Sequence, residues 1–311
     1  MNRLIRAEKA PHISQKFIAT IKKEWPNWIF LLPFIIGFLV FIVYPLGMSI
    51  VYSLTDYNGI TIKNIGFFNY ADIFSFRKYG LGKQVFRSFG LTALYTVISL
   101  PINTVLSYML ALALHKPIKG IKVLRLLFYL PVLIPSIVSG QVWIDILRYP
   151  DGLINQWAEN LGIGPFTFFQ GESTQLATLI TIGQWTLGGS MIVWLAALSN
   201  ISPELYEAAQ LDGAKYFRKL FSITLPLTTP IIFYNVVCLF IMNLQMFDSY
   251  AYLNRGINDG AYFISIRIYL TAFGTGHQYG LACAMAWILF VVIAALTALM
   301  FKCSKWVYYG E

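Results

Sequence analysis

Long uninterrupted apolar stretches, rather than a short alternation of apolar and polar positions, dominate this chain. Six of them reach the roughly 20 residues that a helix needs to cross a hydrocarbon core of about 30 Å. They cover about 29–50, 88–114, 126–146, 173–201, 220–247 and 278–301. Helices in soluble cores rarely run so far without a charge, so the pattern predicts an all-α, polytopic membrane protein with six transmembrane helices. Residues 1–28 form a polar and basic tail ahead of a transmembrane domain at 29–303, and 304–311 form a second short tail. The first apolar run is too long for a signal-peptide h-region, so it is expected to stay as the first span. The tail reads either as a basic topogenic segment or as an interfacial helix. Segments 53–87 and 148–172 are rich in Gly, Asn, Asp and aromatics, and are expected as ordered loops or short helices. No internal repeat is apparent.

Composition agrees with this pattern. The 311 residues are 57% hydrophobic and 12% charged, whereas soluble domains carry about 25% charge. The net charge of +9 would suggest nucleic acid in a soluble protein, but here the cations flank apolar runs. They fit anionic headgroups and membrane orientation instead, with no nucleic-acid partner. The tails and the even-numbered connections hold 15 Lys and Arg against 8 on the other side. That bias places both termini in the cytoplasm. Cys238, Cys283 and Cys303 lie in or beside apolar runs and read as small buried hydrophobes, with no metal-ligand spacing.

Enzymatic machinery is missing from the sequence. No phosphate-binding G-x-x-x-x-G-K-[ST] run is present, and His12, His115 and His277 are spaced neither for a metal nor for a triad. The informative segment is the connection between the fourth and fifth runs, 202–219. Ser202 suits an N-cap and Pro203 the first helical position. Glu204 and Glu207 follow in the first turns, where acidic groups meet the helix dipole favourably. Gly213 tolerates positive φ and is placed to stop the helix. Two short helices with a sharp turn are therefore expected, the first exposing small and charged residues. Ala208 and Ala209 let a partner surface approach closely, and Glu207 can make a charge-assisted hydrogen bond. An ordinary amphipathic connection would share part of this pattern.

The spacing Glu207-Ala208-Ala209-x3-Gly213-x9-Ile223-x-Leu225-Pro226 resembles the EAA loop of binding-protein-dependent ABC importer permeases. The run Leu130 to Ser136, then Val142-Trp143 and Asp151-Gly152-Leu153-Ile154-Asn155, is similar to the third-helix region of their carbohydrate-uptake branch. So are Phe247-Asp248, Tyr252-Leu253 and Tyr279-Gly280-Leu281-Ala282. Where that family usually has Thr-x-Gly-Gly-Pro, this chain has Asn254-Arg255-Gly256-Ile257-Asn258. The resemblance implies a type I (MetI-like) permease fold. It also implies a non-catalytic subunit that pairs with a second, often different, permease chain. Two cytoplasmic ATPase subunits would carry the ATP and Mg, and this chain would bind no cofactor. A solute-binding protein would deliver a carbohydrate. Glu204, Glu207, Ala208, Ala209 and Gly213 would dock on the ATPase, with Ile223, Leu225 and Pro226 leading back into the membrane.

Polar side chains inside spans are costly and usually face the bundle interior or a cavity. Gln184, Trp185 and Gly189 in the fourth run, and Asn243, Gln245 and Asp248 at the end of the fifth, are candidate pathway residues. Asn243 and Gln245 are two positions apart, so a straight helix would not turn both to one face. An ion-coupled secondary transporter is the rival reading, but the spans lack acids and no repeated halves show.

Overall fold

The computed structural model describes residues 29–75, 80–116, 118–247 and 262–308. The basic tail 1–28 and the candidate Asp248 lie outside these residues. Among the described residues twelve helices follow one another. They are α1 Ile29–Ser53, α2 Phe68–Ile73, α3 Leu81–His115, α4 Ile121–Tyr129, α5 Ser136–Ile146 and α6 Leu153–Asn160. Then come α7 Glu172–Gly183, α8 Gly188–Ser199, α9 Pro203–Leu211, α10 Tyr216–Leu244, α11 Ile264–Phe273 and α12 Tyr279–Lys302. Among the described residues the only β pairing is one isolated bridge, Thr55 with Ile65.

Four helices, α1, α3, α10 and α12, are long and apolar enough to cross a membrane singly. The third and fourth apolar runs behave differently. Each is read from the sequence as one span, and each is a bent pair of helices. Ile121–Leu133 and Ser136–Ile146 meet at 97°, and Ser173–Thr186 and Gly188–Ser199 at 45°. The cause of the first bend is proline chemistry. Pro135 pushes the residue before it out of the helical region, and Ile134 has ψ 126°. Leu130–Leu133 tightens into a 3-10 turn, with Pro131 near its start. In the second pair, α7 closes through a 3-10 turn at Gln184–Thr186. Both π turns among the described residues lie just ahead of a proline: Leu39–Val43 before Pro45, and Leu220–Thr224 before Pro226. A proline crowds the carbonyl four residues back, and a widened turn relieves that contact.

The helix α3 is inside out by the standards of a soluble protein. Ser88, Thr92, Thr96, Ser99, Asn103 and Ser107 are buried, while Leu94, Val97, Val105 and Met109 are exposed. The buried positions recur every three or four residues, which draws one stripe along the helix. Small polar residues let neighbouring helices approach closely, and hydroxyls can be satisfied by their own backbone. Thr92 donates to the Ser88 carbonyl at 2.7 Å and Thr96 to the Thr92 carbonyl at 2.8 Å. The stripe then joins two partners. Trp194 Nε1 donates to Ser107 Oγ at 2.9 Å, and Ser190 Oγ to Asn103 Oδ1 at 3.3 Å, which fastens α8. The Ile264 amide donates to Thr92 Oγ1 at 3.0 Å, and Arg267 Nε to Ser88 Oγ at 2.7 Å, which fastens α11.

The hydropathy reading passed over α11. At ten residues it is too short to cross a bilayer, yet Phe263, Ile264 and Ile266 are fully buried. It packs on α12 and α3. Helix α1 is the opposite case. Its second half rests on α12, where Trp287 Nε1 donates to Ser49 Oγ at 3.1 Å. Its first half has no buried residue, and Phe30 is 85% exposed.

Beyond α1 the chain forms a loop organised by Asp56. Its Oδ1 accepts the backbone N–H groups of Lys63 (2.8 Å) and Asn64 (3.0 Å), and its Oδ2 accepts Asn64 Nδ2 at 3.0 Å. The Asn64 and Lys63 amides hold the Asp56 carboxyl below its ordinary value of 3.8. A depressed folded-state value means that the contribution is complete above the ordinary value and is lost as pH falls through the lowered one. Amide exchange at Lys63 and Asn64 should therefore stay protected as pH falls through 3.8 and give way only below it. Loss of protection already at pH 5 would contradict this.

Candidate functional site

The connection between α8 and α10 builds a protruding knob. Ser202 is extended and Pro203 occupies the first helical position of α9. The Ser202 side chain makes no capping bond, contrary to its sequence preference. Its carbonyl takes the Leu205 amide at 3.3 Å instead. At the other end, Gly213 has φ +74°. The Ala214 amide donates back to the Ala209 carbonyl at 2.8 Å, and the Gly213 amide to the Gln210 carbonyl at 3.0 Å. That pair of bonds is the Schellman closure, which needs a residue in the left-handed region. The turn leads directly into Tyr216, so α9 and α10 are held at a defined angle.

The knob is tied to the membrane helices. The Tyr206 hydroxyl and Thr224 Oγ1 lie 2.9 Å apart, and Thr224 is buried at the π turn of α10. Lys116 Nζ sits 5.8 Å over the Tyr216 ring, and Arg125 donates to the Leu114 carbonyl at 2.8 Å. Ala209 and Ile223 line a small cleft of about 150 Å³ between the end of α9 and the start of α10, with Asp212, Arg218 and Lys219 at its edge. Leu225 and Pro226 are half-buried in the first turns of the long part of α10. Glu204, Glu207 and Ala208 are exposed. Glu207 makes no side-chain hydrogen bond or ion pair among the described residues.

Sequence reasoning passed over the apolar part of this surface. Leu211 is 90% exposed and Phe217 70%, with Leu205 and Tyr216 also open. Glu204, Ala208 and Leu211 follow at intervals of four and three, so they share one face of α9. The available signal was a leucine immediately before a helix-stopping Asp-Gly, where no core lies within reach. The knob thus offers carboxylates and large apolar side chains side by side, a pattern suited to a protein partner.

The candidate pathway residues fall into two groups. Gln184, Trp185 and Gly189 gather at the bend between α7 and α8. Gln184 Nε2 donates to Ser99 Oγ at 3.2 Å and to the Ile180 carbonyl at 2.9 Å, while its Oε1 is buried with no donor among the described residues. The Trp185 ring meets Trp143 edge to face at 5.5 Å between centroids. A Cβ on Gly189 would lie 3.8 Å from Val132, an ordinary contact. Asn243 and Gln245 stand at the end of α10. The helix stops at Leu244, and Gln245 turns off with φ −100° and ψ 15°. Gln245 therefore lies beyond the regular helix that carries Asn243. Gln245 is exposed and Asn243 half-buried.

The Asp151 to Asn155 run has a clear local role. Asn155 is fully buried; its Nδ2 donates to the carbonyls of Arg148 (2.9 Å) and Phe166 (3.1 Å), and its Oδ1 accepts the Phe166 amide at 2.7 Å. It pins the segment ahead of α7 onto the start of α6. Asp145 pairs with Arg148 one turn away, at an exposed position.

A bundle of long and broken apolar helices with a protruding short helix at one end has the architecture of a polytopic membrane protein. Comparison with known proteins agrees and is more specific. Residues 103–307 match the family described as binding-protein-dependent transport system inner membrane component. The chain is 35% identical to the probable ABC transporter permease protein YesP of Bacillus subtilis (strain 168), over 93% of each chain. It is 29% identical to the trehalose/maltose transport system permease protein MalF of Thermococcus litoralis, over 90% of this chain and 93% of that one. Its fold superposes on a chain of a bacterial ABC transporter that imports the acidic polysaccharide alginate. The TM-score is 0.80 at 26% identity, covering 93% of this chain and 98% of that one. The chain belongs to the family of inner membrane components of binding-protein-dependent transport systems. It is a multi-pass, non-catalytic permease subunit of an ABC importer, and the ion-coupled alternative finds no support.

Proposed function

We propose that this subunit forms half of a membrane pathway for a carbohydrate and is driven through α9 by a separate cytoplasmic ATPase. The observation that carries the reading is the knob itself: a short helix closed by Gly213, tied to α10 through Tyr206, and presenting Glu207 with no partner of its own. In the full transporter two ATPase subunits hold ATP and Mg, and one receives α9. The side bearing α9 and both termini face the cytoplasm, in keeping with the excess of Lys and Arg there. A second permease chain completes the pathway. The unburied first half of α1 supports such a partner, since Phe30, Phe34 and Phe41 all point away from this chain's own helices. A solute-binding protein delivers the sugar from outside. That assignment draws on relatives named for trehalose and maltose, diacetylchitobiose and lactose, and on the alginate transporter solved with a pentasaccharide-bound periplasmic protein. Inside the membrane Gln184, Trp185, Gly189, Asn243, Gln245 and, beyond the described residues, Asp248 are the proposed sugar contacts.

Replacing Glu207 with alanine tests the reading. A charge-assisted hydrogen bond is worth about 1.5–3 kcal/mol, so uptake should fall roughly ten- to hundredfold. The amount of chain recovered from the membrane should not change, because Glu207 is exposed and makes no side-chain hydrogen bond or ion pair among the described residues. Uptake at the normal rate by the Glu207→Ala transporter would sink the coupling role of α9.

A further inference from the structure

The knob reaches the membrane by more than its backbone. Every residue of α9 except Tyr206 and Ala209 is exposed. Tyr206 is half-buried, and its hydroxyl lies 2.9 Å from Thr224 Oγ1. Thr224 Oγ1 is also 3.3 Å from the Lys219 carbonyl, which can only accept. The threonine proton therefore goes to Lys219, and the Tyr206 hydroxyl donates to Thr224. The same arrangement recurs one turn on. Thr228 Oγ1 gives its proton to the Thr224 carbonyl at 2.9 Å, with the Leu225 carbonyl 3.1 Å away. The hydroxyl of Tyr108 on α3, 3.0 Å from Thr228 Oγ1, must then donate to it. Tyr206 of α9 and Tyr108 of α3 thus grip successive turns of α10, and the bond from Thr228 to the Thr224 carbonyl joins the two grips. Thr224, Thr228 and Tyr108 are all buried.

The place gripped is the weak point of α10. Between Lys219 and Leu225 the helix widens into a π turn, and the Leu225 amide donates to the Leu220 carbonyl five residues back. Pro226 follows directly and has no amide to add. If backbone alone joined α9 to the span, a displacement of α9 would be absorbed in that turn. Thr224 ends the π turn and Thr228 lies in the regular helix beyond it, so a tyrosine on each side bypasses the turn. From Tyr108 the connection continues through fixed contacts. Its ring meets Trp194 of α8 edge to face at 5.3 Å, and Trp194 Nε1 donates to the neighbouring Ser107 at 2.9 Å. Further along α3, Ser99 Oγ takes Gln184 Nε2 at 3.2 Å.

We propose that Tyr206, Thr224, Thr228 and Tyr108 are positioning residues forming a hydrogen-bonded strut, through which α9 and α3 move as one body and displacement of the knob reaches the bend at Gln184. This rests on the coupling role of α9 given above and names its route inside the chain. Coupling travels through contiguous chains of hydrogen bonds and packed side chains, and measured coupling, not adjacency, establishes one.

The test measures that coupling in the complete transporter, assembled with its partner permease, ATPase subunits and solute-binding protein in lipid nanodiscs. Spin labels are placed by amber suppression at Met109, exposed beside Tyr108, and at Gln210, exposed on α9. Gln210 is one turn from Tyr206 and off the face that carries Glu204, Ala208 and Leu211. Pulsed electron spin resonance gives the distance between the labels without nucleotide and after trapping with ATP, Mg and vanadate. The wild-type distance should be the same in both states. Tyr206→Phe and Tyr108→Phe each keep the ring and remove the link, so trapping should then shift or broaden the distance by about 1–2 Å, the scale of a helix displacement. Because the links stand in series, the double variant should show no more than either single one, whereas two separate structural bonds would add. Thr228→Val, which keeps the side-chain shape, should match them. Thr96→Val removes another buried hydroxyl of α3, one that donates to the Thr92 carbonyl of its own helix, and should respond as wild type. Thermal midpoints recorded alongside separate a loosened strut from a damaged fold. A wild-type distance that changes on trapping overturns the strut, and so does a wild-type response in Tyr206→Phe and Tyr108→Phe, or an additive one in the double variant. If the strut fails while Glu207→Ala still loses uptake, only the strut is removed. Normal uptake by Glu207→Ala removes the coupling reading beneath it.

Discussion

An alanine in place of Gly188 should deplete the folded protein. A Cβ at that position would lie 2.1 Å from the carbonyl oxygen of Phe128, 2.7 Å from its carbon and 2.8 Å from Tyr129 Cα. All three are backbone atoms of the last turn of α4, so no rotamer change makes room. Overpacking a tight interior costs about 1–3 kcal/mol, and a clash with fixed backbone belongs at or above the top of that range. The measurement is the yield of monodisperse chain in detergent and its thermal midpoint. Gly189→Ala is the matched control. There the new carbon would sit 3.8 Å from Val132, and the same measurements should stay near wild type. Equal behaviour of the two variants would mean that α8 and the bent third span do not pack as described.

Valine at Gly213 should uncouple transport without unfolding the subunit. The glycine has φ +74° and nothing within 4 Å of a built Cβ, so the penalty is conformational, not steric crowding by a neighbour. A left-handed conformation costs an ordinary L-residue about 1–2 kcal/mol, and a β-branched one is a rarer outlier there. The chain would escape by opening the closure from Ala214 to Ala209 and letting α9 swing relative to α10. Uptake and substrate-stimulated ATP hydrolysis by the assembled transporter should then both fall by more than tenfold. Gly213→Asn, which tolerates the left-handed region, should retain a substantial part. Normal uptake by the valine variant would show that the angle between α9 and α10 is not what carries the coupling.

The knob was the most legible part of the sequence because its signals are local. Pro203 at a helix start and Gly213 at a helix end act through the backbone of their own turn. The apolar runs were legible for the same kind of reason: length and lack of charge suffice. What hydropathy does not report is where a span bends. Pro131 and Pro135 were visible, yet whether a proline kinks a span or turns it by 97° is set by tertiary packing that the local sequence does not carry. Helix α11 was hidden because ten residues carry too weak a hydropathy signal, and its anchors, Thr92 and Ser88, lie about 170 positions away. The candidate pathway residues were found by one rule, polar groups inside apolar runs. That rule gathers Gln184, Trp185 and Gly189 at one bend, but it says nothing of Trp143, whose indole joins them through a ring contact.

The inside-out stripe on α3 also bears on how the subunit is made. The ribosome releases α3 long before α8 and longer still before α11, so the buried hydroxyls meet lipid before their partner helices exist. Thr92 and Thr96 are already provided for, since each is bonded to a carbonyl one turn back in its own helix. Asn103 has no such local arrangement; its side-chain oxygen waits for Ser190 of α8. The nascent chain therefore carries one poorly solvated amide through the interval between the second and fourth spans.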